Sequence, residues 1–305
     1  MGKNNNPKYK SWGFWYIQMF LLLVMFFSGC SSAPKRAAEI FTDRDTAQSQ
    51  LNLANKTANR GRYNEALAIL EEARRLAVSA DDPSLRIKTS ISRGNLMLSL
   101  GHEAQAFAEW ENAAAEGDAS AETALAALAR ICAIRAKLLL MANGQTGAAA
   151  SEGEGQAEQL KIQLGEEMLA VRADDFSTAS GYVTLGLAEK QLGRWAEAES
   201  AVRRALDVHE KNRSLEDAAY DWFLIASIRS VAGNLDSALE ALRTAISFDR
   251  RAENSFGLAS SWQAMGDVYQ KAGRNEESKT AWRRASEIYH AMGLGDRARK
   301  LDGDL

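Results

Sequence analysis

One skeleton recurs at a fixed step along the chain. Gly193-Arg194-Trp195-Ala196-Glu197-Ala198, with Ala205 seven residues on, returns as Gly233-Asn234-Leu235-Asp236-Ser237-Ala238 with Ala245. It returns again as Gly273-Arg274-Asn275-Glu276-Glu277-Ser278 with Ala285, a step of 40 residues each time. Gly61 with Ala66 and Ala73, then Gly101 with Ala106 and Ala113, stand 40 residues apart near the start. From Gly101 to Gly193 is 92 residues, room for one more unit carrying about twelve extra residues. A constant step of this size means a unit that cannot bury its apolar face alone and stacks on its neighbours.

The unit reads as two helices joined by a turn. In the fifth copy Trp222, Ile225 and Ala226 recur at spacings of three and four, one helical face. Gly233 ends that helix, as a residue free to turn left-handed does. Leu235, Ala238, Leu242, Ala245 and Ile246 form the packed face of the second helix, with Ala238 and Ala245 small because two backbones approach there. Only Pro7, Pro34 and Pro83 interrupt the chain, so long helices are permitted after residue 83. Asp82-Pro83 supplies a cap with proline in the first turn, and Ser214-Leu215-Glu216-Asp217 fits a capping box. The extra residues of the third copy fall in a segment from Asn143 to Gln156 that holds four glycines and reads as a flexible loop.

The amino-terminus has a different character. Lys3, Lys8 and Lys10 precede a nearly unbroken apolar run from Trp12 to Phe27, shorter than the roughly 20 residues that span a bilayer. Phe27-Ser28-Gly29-Cys30 resembles the lipobox of bacterial lipoproteins, with Phe27 where leucine is usual. An uncleaved signal anchor is the alternative. The resemblance implies a signal peptide at 1–29, lipidation of Cys30, and a short tether over 30–36 before the helical region at 37–305. Removing 1–29 takes away three lysines and no acids, moving the net charge from −3 to −6. Ser31 resembles the sorting position of lipoproteins held at the periplasmic face of the outer membrane. Lipidation would leave Cys132 as the only thiol, which its setting among alanines and leucines marks as a small buried hydrophobe.

The repeats resemble the tetratricopeptide repeat family. The sixth matches through Trp262, Met265, Gly266, Tyr269, Gly273, Trp282 and Ala285, and the fourth through Tyr182, Leu185, Gly186, Gly193, Trp195, Ala198 and Ala205. The first keeps Leu53, Ala54, Gly61, Tyr63, Ala66, Leu70 and Ala73, and the second Gly94, Gly101, Ala106, Trp110 and Ala113. The step of 40 rather than 34 and the missing closing proline fit a longer variant of the unit. The resemblance implies an all-α fold, an α-solenoid with a right-handed superhelix of about six helical hairpins, the third degenerate with a loop insertion at about 143–156.

It further implies that partners bind the concave groove lined by the first helix of each pair. The groove positions carry Asn52, Asn55 and Asn59 in the first unit and Lys88 and Asn95 in the second. Thr184 and Lys190 follow in the fourth, Tyr220, Phe223 and Ser227 in the fifth, and Gln263, Asp267 and Lys271 in the sixth. Asn amides suit an extended peptide backbone, having both donor and acceptor. A solvated inner face would be built from the same residues, so both readings stand. Leu51 occupies the place where a clamp for a C-terminal carboxylate needs lysine, so no such clamp is expected.

Other chemistry is sparse. His102, His209 and His290 are far apart and near helix ends, where a helix C-terminus favours His209 and His290 as cations, and no pair has metal-ligand spacing. The mild charge gives no case for nucleic acid. No catalytic residue, metal or cofactor is expected. The sequence therefore points to a non-enzymatic, membrane-anchored scaffold of the bacterial cell envelope that holds a partner protein or peptide in its groove. A small-ligand-binding periplasmic lipoprotein associated with a transporter is the alternative.

Overall fold

The structure, a computed structural model, describes residues 42–144 and 150–303. The signal peptide, Cys30 and the tether at 30–36 lie outside the described residues. Among the described residues thirteen helices follow one another: α1 (Thr42–Asn59), α2 (Tyr63–Ser79), α3 (Pro83–Leu100), α4 (Glu103–Ala119), α5 (Thr123–Gly144), α6 (Ala150–Val171), α7 (Asp175–Gln191), α8 (Trp195–Lys211), α9 (Leu215–Val231), α10 (Leu235–Ala252), α11 (Ser255–Lys271), α12 (Asn275–Ala291) and α13 (Gly295–Asp302). They pair as six antiparallel hairpins, α1/α2 to α11/α12, with α13 packed on the last. The fold is all-α, an α-solenoid of tetratricopeptide-like hairpins. No described helix is long and apolar enough to cross a membrane.

The recurring glycine is the hinge of each hairpin. Gly61, Gly101, Gly193, Gly233 and Gly273 have φ between 70° and 85°, a region costly for residues with a Cβ. Each turn then recovers carbonyls left over by the first helix: Gly193 N–H donates to Lys190 O at 3.1 Å and Arg194 N–H to Glu189 O at 2.9 Å. A second series at the same step makes the turns between hairpins. Asp81, Ala121, Arg213 and Glu253 have φ of 46° to 60°, and Gly293 continues the series at 76°.

The recurring alanines sit where the hairpin is tightest. Ala66, Ala73, Ala198, Ala205, Ala238 and Ala245 are all at 0% exposure. On the facing helix Gly94, Gly186 and Gly266 admit a large partner from the second helix, namely Trp110, Val202 and Trp282. From the third hairpin to the sixth the core is continuous: Ile225, Leu239 and Leu242 belong to a cluster reaching from Ala127 to Ala281. Cys132 is buried, and burial pushes its thiol pKa up.

Caps explain the starts. Asp82 accepts from Leu85 N–H at 3.0 Å with Pro83 in the first turn, and Asp174 accepts from Ser177 N–H at 2.7 Å. The capping box expected at Ser214 does not form: Ser214 starts α9, but its hydroxyl donates to the Asp217 carboxylate instead of accepting from the backbone. The expected loop over 143–156 is also largely replaced by helix. α5 runs to Gly144 and α6 starts at Ala150, so Gly153 and Gly155 lie within a helix. Glycine in a helix costs only about 1 kcal/mol against alanine, and the surrounding Ala and Glu residues outweigh it.

Candidate functional site

Repeat arrays normally place each unit against its neighbours alone. Here the first hairpin also meets the last two. Tyr63 at the start of α2 meets Phe256 of α11 edge-to-face, centroids 6.0 Å apart. Gly61 lies under Met292, so closely that an added Cβ would be 2.7 Å from its side chain. Arg297 of α13 donates to Ser99 O of α3 at 2.9 Å. At the rim Arg60 pairs with Glu253 at 2.9 Å, and Asn59 Nδ2 donates to Glu216 Oε1 at 3.3 Å. The superhelix thus closes on itself, and its interior becomes a cavity.

That cavity has a volume of about 670 Å³, within the range of ligand sites. One wall comes from α1 and α3, with Asn52, Asn55, Lys56 and Asn59 on the first and Ser92, Asn95 and Ser99 on the second. The opposite wall comes from α9 and α11, with Glu216, Asp217, Tyr220 and Phe223 on the first and Phe256 and Ser260 on the second. Tyr220 and Phe223 stack at 6.2 Å with an interplanar angle of 15°. Burial pushes the Tyr220 phenol up, an effect partly offset by the Arg135 guanidinium.

The floor is polar. Asp249 ends α10, 1% exposed, and accepts from Asn254 Nδ2 at 2.7 Å and Ser261 Oγ at 3.4 Å. Burial, reinforced by the charge of Glu216, pushes its carboxyl up to about 7, and the two hydrogen bonds only partly oppose that. Gly257 is required beside it, since a Cβ there would collide with the carboxylate. Tyr63 also lines the cavity, 6% exposed, and its hydroxyl has no hydrogen-bond partner among the described residues. Burial raises the pKa of that phenol too.

Of the groove residues expected from the sequence, the cavity gathers Asn52, Asn55, Asn59, Asn95, Tyr220 and Phe223. The others lie elsewhere. Lys190 Nζ donates to Ser227 Oγ at 2.7 Å, and Lys271 Nζ to Ser230 Oγ at 3.3 Å. Burial, with the neighbouring charge of Lys271, lowers the Lys190 pKa. Thr184 is fully buried; its hydroxyl donates to Ser180 O at 2.9 Å and accepts from Arg135 Nε at 3.3 Å. Gln263 Oε1 accepts from the Tyr289 hydroxyl at 3.2 Å, and Asp267 Oδ1 from Trp282 Nε1 at 2.9 Å, so both are engaged within the sixth hairpin. Lys88 is half-buried on α3 and does not line the cavity.

Sequence reasoning missed Asp249, Tyr63, Glu216 and Phe256. In the sequence Tyr63 stands only as part of the repeat-family pattern and Glu216 only as part of a cap. A signal did exist for Asp249. Positions 209, 249 and 289 are equivalent by the 40-residue step, and they hold His, Asp and Tyr where the first two repeats hold Ala77 and Gly117. Polar residues at a position elsewhere small mark an altered junction. Among the described residues, no group of three or more His, Cys, Asp or Glu side chains could hold a metal ion.

The tetratricopeptide repeat matches at residues 46–80, 178–212 and 259–293. These are the first, fourth and sixth hairpins. The chain carries tetratricopeptide repeats. A search of curated proteins finds no match. Among solved structures, a signal-transduction ATPase with numerous domains and a tetratricopeptide repeat sensor, from Pyrococcus horikoshii, superimposes with a TM-score of 0.55 at 14% identity. That match covers 84% of this chain and 37% of the archaeal one, so this chain spans little more than a third of that protein's length. A Rap protein complexed with Competence and Sporulation Factor gives 0.54 at 13% identity, covering 83% of this chain and 69% of that one. At such identities the likeness is one of fold.

Proposed function

We propose that the protein is a non-enzymatic interaction scaffold that holds a peptide segment of a partner protein in the cavity closed by its first and last hairpins. The observation that carries this reading is the convergence of Asn52, Asn55, Asn59 and Asn95 on one wall with Tyr220 and Phe223 on the other. Amide side chains match the alternating donors and acceptors of an extended backbone, and flat aromatic faces take side chains between them. The Rap protein of similar fold is described in complex with a factor, which is in keeping with ligand capture by such an array. In this proposal Cys30 carries the lipid that fixes the scaffold to the cell envelope, at the periplasmic face of the outer membrane, where its partners are other envelope proteins.

A photo-crosslinking residue at Asn55 or Phe223, introduced in cells, is expected to trap a defined set of proteins, competed by the purified chain. Recovery of none would remove the proposal. Cys30→Ser is expected to leave an unlipidated precursor, and undiminished lipid labelling would contradict the anchor. A second reading draws on the size of the cavity: a half-open space of about 670 Å³ also suits a small ligand of a transporter-associated lipoprotein. Native mass spectrometry of the chain purified from its host separates the two, since only the second leaves a small molecule bound.

A further inference from the structure

A second hollow opens on another face of α11 and shares no lining residue with the cavity. It is a groove of about 540 Å³ between α10 and α12, again within the range of ligand sites. Trp262, Met265 and Tyr269, on one face of α11, make its floor. Arg243 and Arg250 line it from α10, and Arg284 from α12. None of the three arginines forms a salt bridge among the described residues. Aromatic rings hold two of them in place: Arg284 lies over Trp262, 4.5 Å from the ring centroid, and Arg243 Nη2 donates to the Tyr269 hydroxyl at 3.5 Å. Of the two acids in the lining, Glu277 already pairs with Arg274 at 3.0 Å, so Glu276 alone stands against three guanidinium groups.

The same place one repeat earlier is built differently. There Arg203, equivalent to Arg243, pairs with Glu199 at 2.7 Å, and Glu199 also holds Arg229 at 2.8 Å. Forty residues on, Leu239 stands in place of Glu199, Arg250 in place of Glu210 and Arg284 in place of Thr244, while Trp222 is matched by Trp262. Stacking therefore does not need the surplus charge. All three differences raise it, in a chain whose net charge is −3.

We propose that this groove is a second docking site, for an extended acidic segment of a partner protein in which carboxylates flank a large apolar side chain. The apolar side chain packs on Trp262 and Met265, and the carboxylates meet Arg243, Arg250 and Arg284. A guanidinium presents paired N–H donors that match a carboxylate in one plane, and one already seated on a ring loses less freedom on binding. Arg243 and Arg250 are seven residues apart on α10, a rise of about 10 Å that about three extended residues span. A basic segment would meet the surplus of like charge. A wholly apolar one would cover the guanidinium groups and give them no acceptor. The site goes beyond the cavity reading and does not depend on it.

An array of short synthetic peptides tests this, each with a central Phe or Leu flanked on both sides by Glu, by Gln or by Lys, and probed with the detergent-solubilised full chain. Glu-flanked peptides are expected to bind, and their Gln-flanked counterparts to bind about tenfold or more weakly. The double variant Arg250→Glu, Arg284→Thr installs the residue types that the chain itself carries at 210 and 244. It is expected to keep its helical circular dichroism and lose the Glu-flanked peptides by a similar factor. Arg283→Gln removes the same charge from α12 outside the groove, and is expected to change affinity by no more than about twofold. Equal binding of Glu- and Gln-flanked peptides, or undiminished binding by the double variant, would overturn the proposal. So would an equal loss in Arg283→Gln, which would reduce the effect to general charge. Calorimetric binding of glycerol phosphate, with no Glu-flanked peptide retained, would assign the groove to an anionic headgroup and overturn the peptide site.

Discussion

His209 Nδ1 and Asp221 Oδ2 lie 2.6 Å apart, both buried, across the junction of the fourth and fifth hairpins. Asp221 Oδ1 has no hydrogen-bond partner among the described residues. The sequence places this histidine near a helix C-terminus that favours its cation, and it lies in the last turn of α8. It is enclosed there, beside Phe176 at 6.1 Å. Burial pushes the Asp221 carboxyl up to about 6 despite the hydrogen bond from His209. Burial opposes charge on His209 as well, but the Asp221 bond and charge outweigh it and leave the imidazole pKa raised. The two groups titrate as a unit.

The pH dependence of stability follows from this pair and from Asp249. All three groups bind protons more tightly in the folded chain, so unfolding releases protons and stability falls as pH rises. For the two aspartates the window opens at the unfolded value of 3.8 and closes near 6 and 7. The histidine contribution is full below 6.5 and is lost as pH passes its raised folded value. Glu199, whose pKa is lowered first by its hydrogen bond from Arg229, acts in the opposite sense but only as pH falls below the ordinary carboxylate range. Urea unfolding is therefore expected to show stability declining from pH 5 to pH 8. Asp249→Asn should flatten that slope, and an unchanged slope in the variant would refute the assignment.

Gly94 and Trp110 give a packing test. A Cβ on Gly94 would lie 2.5 Å from the indole nitrogen, which itself donates to Ile91 O at 3.3 Å. Trp110 is 1% exposed and cannot swing away. Gly94→Ala is expected to cost about 1–3 kcal/mol through overpacking. Gly165→Ala, on α6 with nothing within 4 Å, is expected to stabilise by about 0.5–1 kcal/mol through helix propensity alone. Thermal unfolding of the two variants should move in opposite directions.

Much of this framework was legible because it is local and periodic. Gly193, Ala198 and Ala205 announce turn and contact by residue type, and the step from them locates every hairpin. The insertion was misjudged because glycine content was weighed above the helix-forming residues around Gly153. The cavity was legible only in half. Asn55 and Phe223 carry the groove signature, but the facing of the first hairpin on the fifth and sixth depends on rotation accumulated over six units, which no single repeat encodes. Asp249 escaped because a buried acid at the end of a second helix has the residue type of a solvated one.

The inter-hairpin turns carry strain that can be relieved. Ala121 has φ of 60° and Arg213 of 57°, where an L-residue costs about 1–2 kcal/mol, and Gly293 fills the equivalent position without that cost. Ala121→Gly is expected to stabilise the chain by about 0.5–1 kcal/mol, the relief being reduced by the larger entropy of glycine in the unfolded state. A lowered melting temperature for this variant would show that the turn is not left-handed in solution.

Closure of the array makes the first hairpin depend on residues nearly 200 positions away. Phe256 is the central contact: it meets Tyr63 at 6.0 Å, Tyr289 at 6.4 Å and the Arg297 guanidinium at 5.0 Å. The Arg60–Glu253 bridge beside it is exposed on both sides, so Arg60→Ala is expected to cost no more than about 1 kcal/mol. Phe256→Ala removes the aromatic pair with Tyr63 that crosses to the first hairpin, worth about 0.5–1.5 kcal/mol beyond buried area, and should lower the opening free energy of that hairpin by at least about that much. Hydrogen exchange is expected to quicken in α1 and α2 while α7 to α10 keep their protection, and the radius of gyration in solution scattering should rise. An array held only by neighbour contacts would respond differently: the loss would centre on α11 and α12, and α1 would exchange as before.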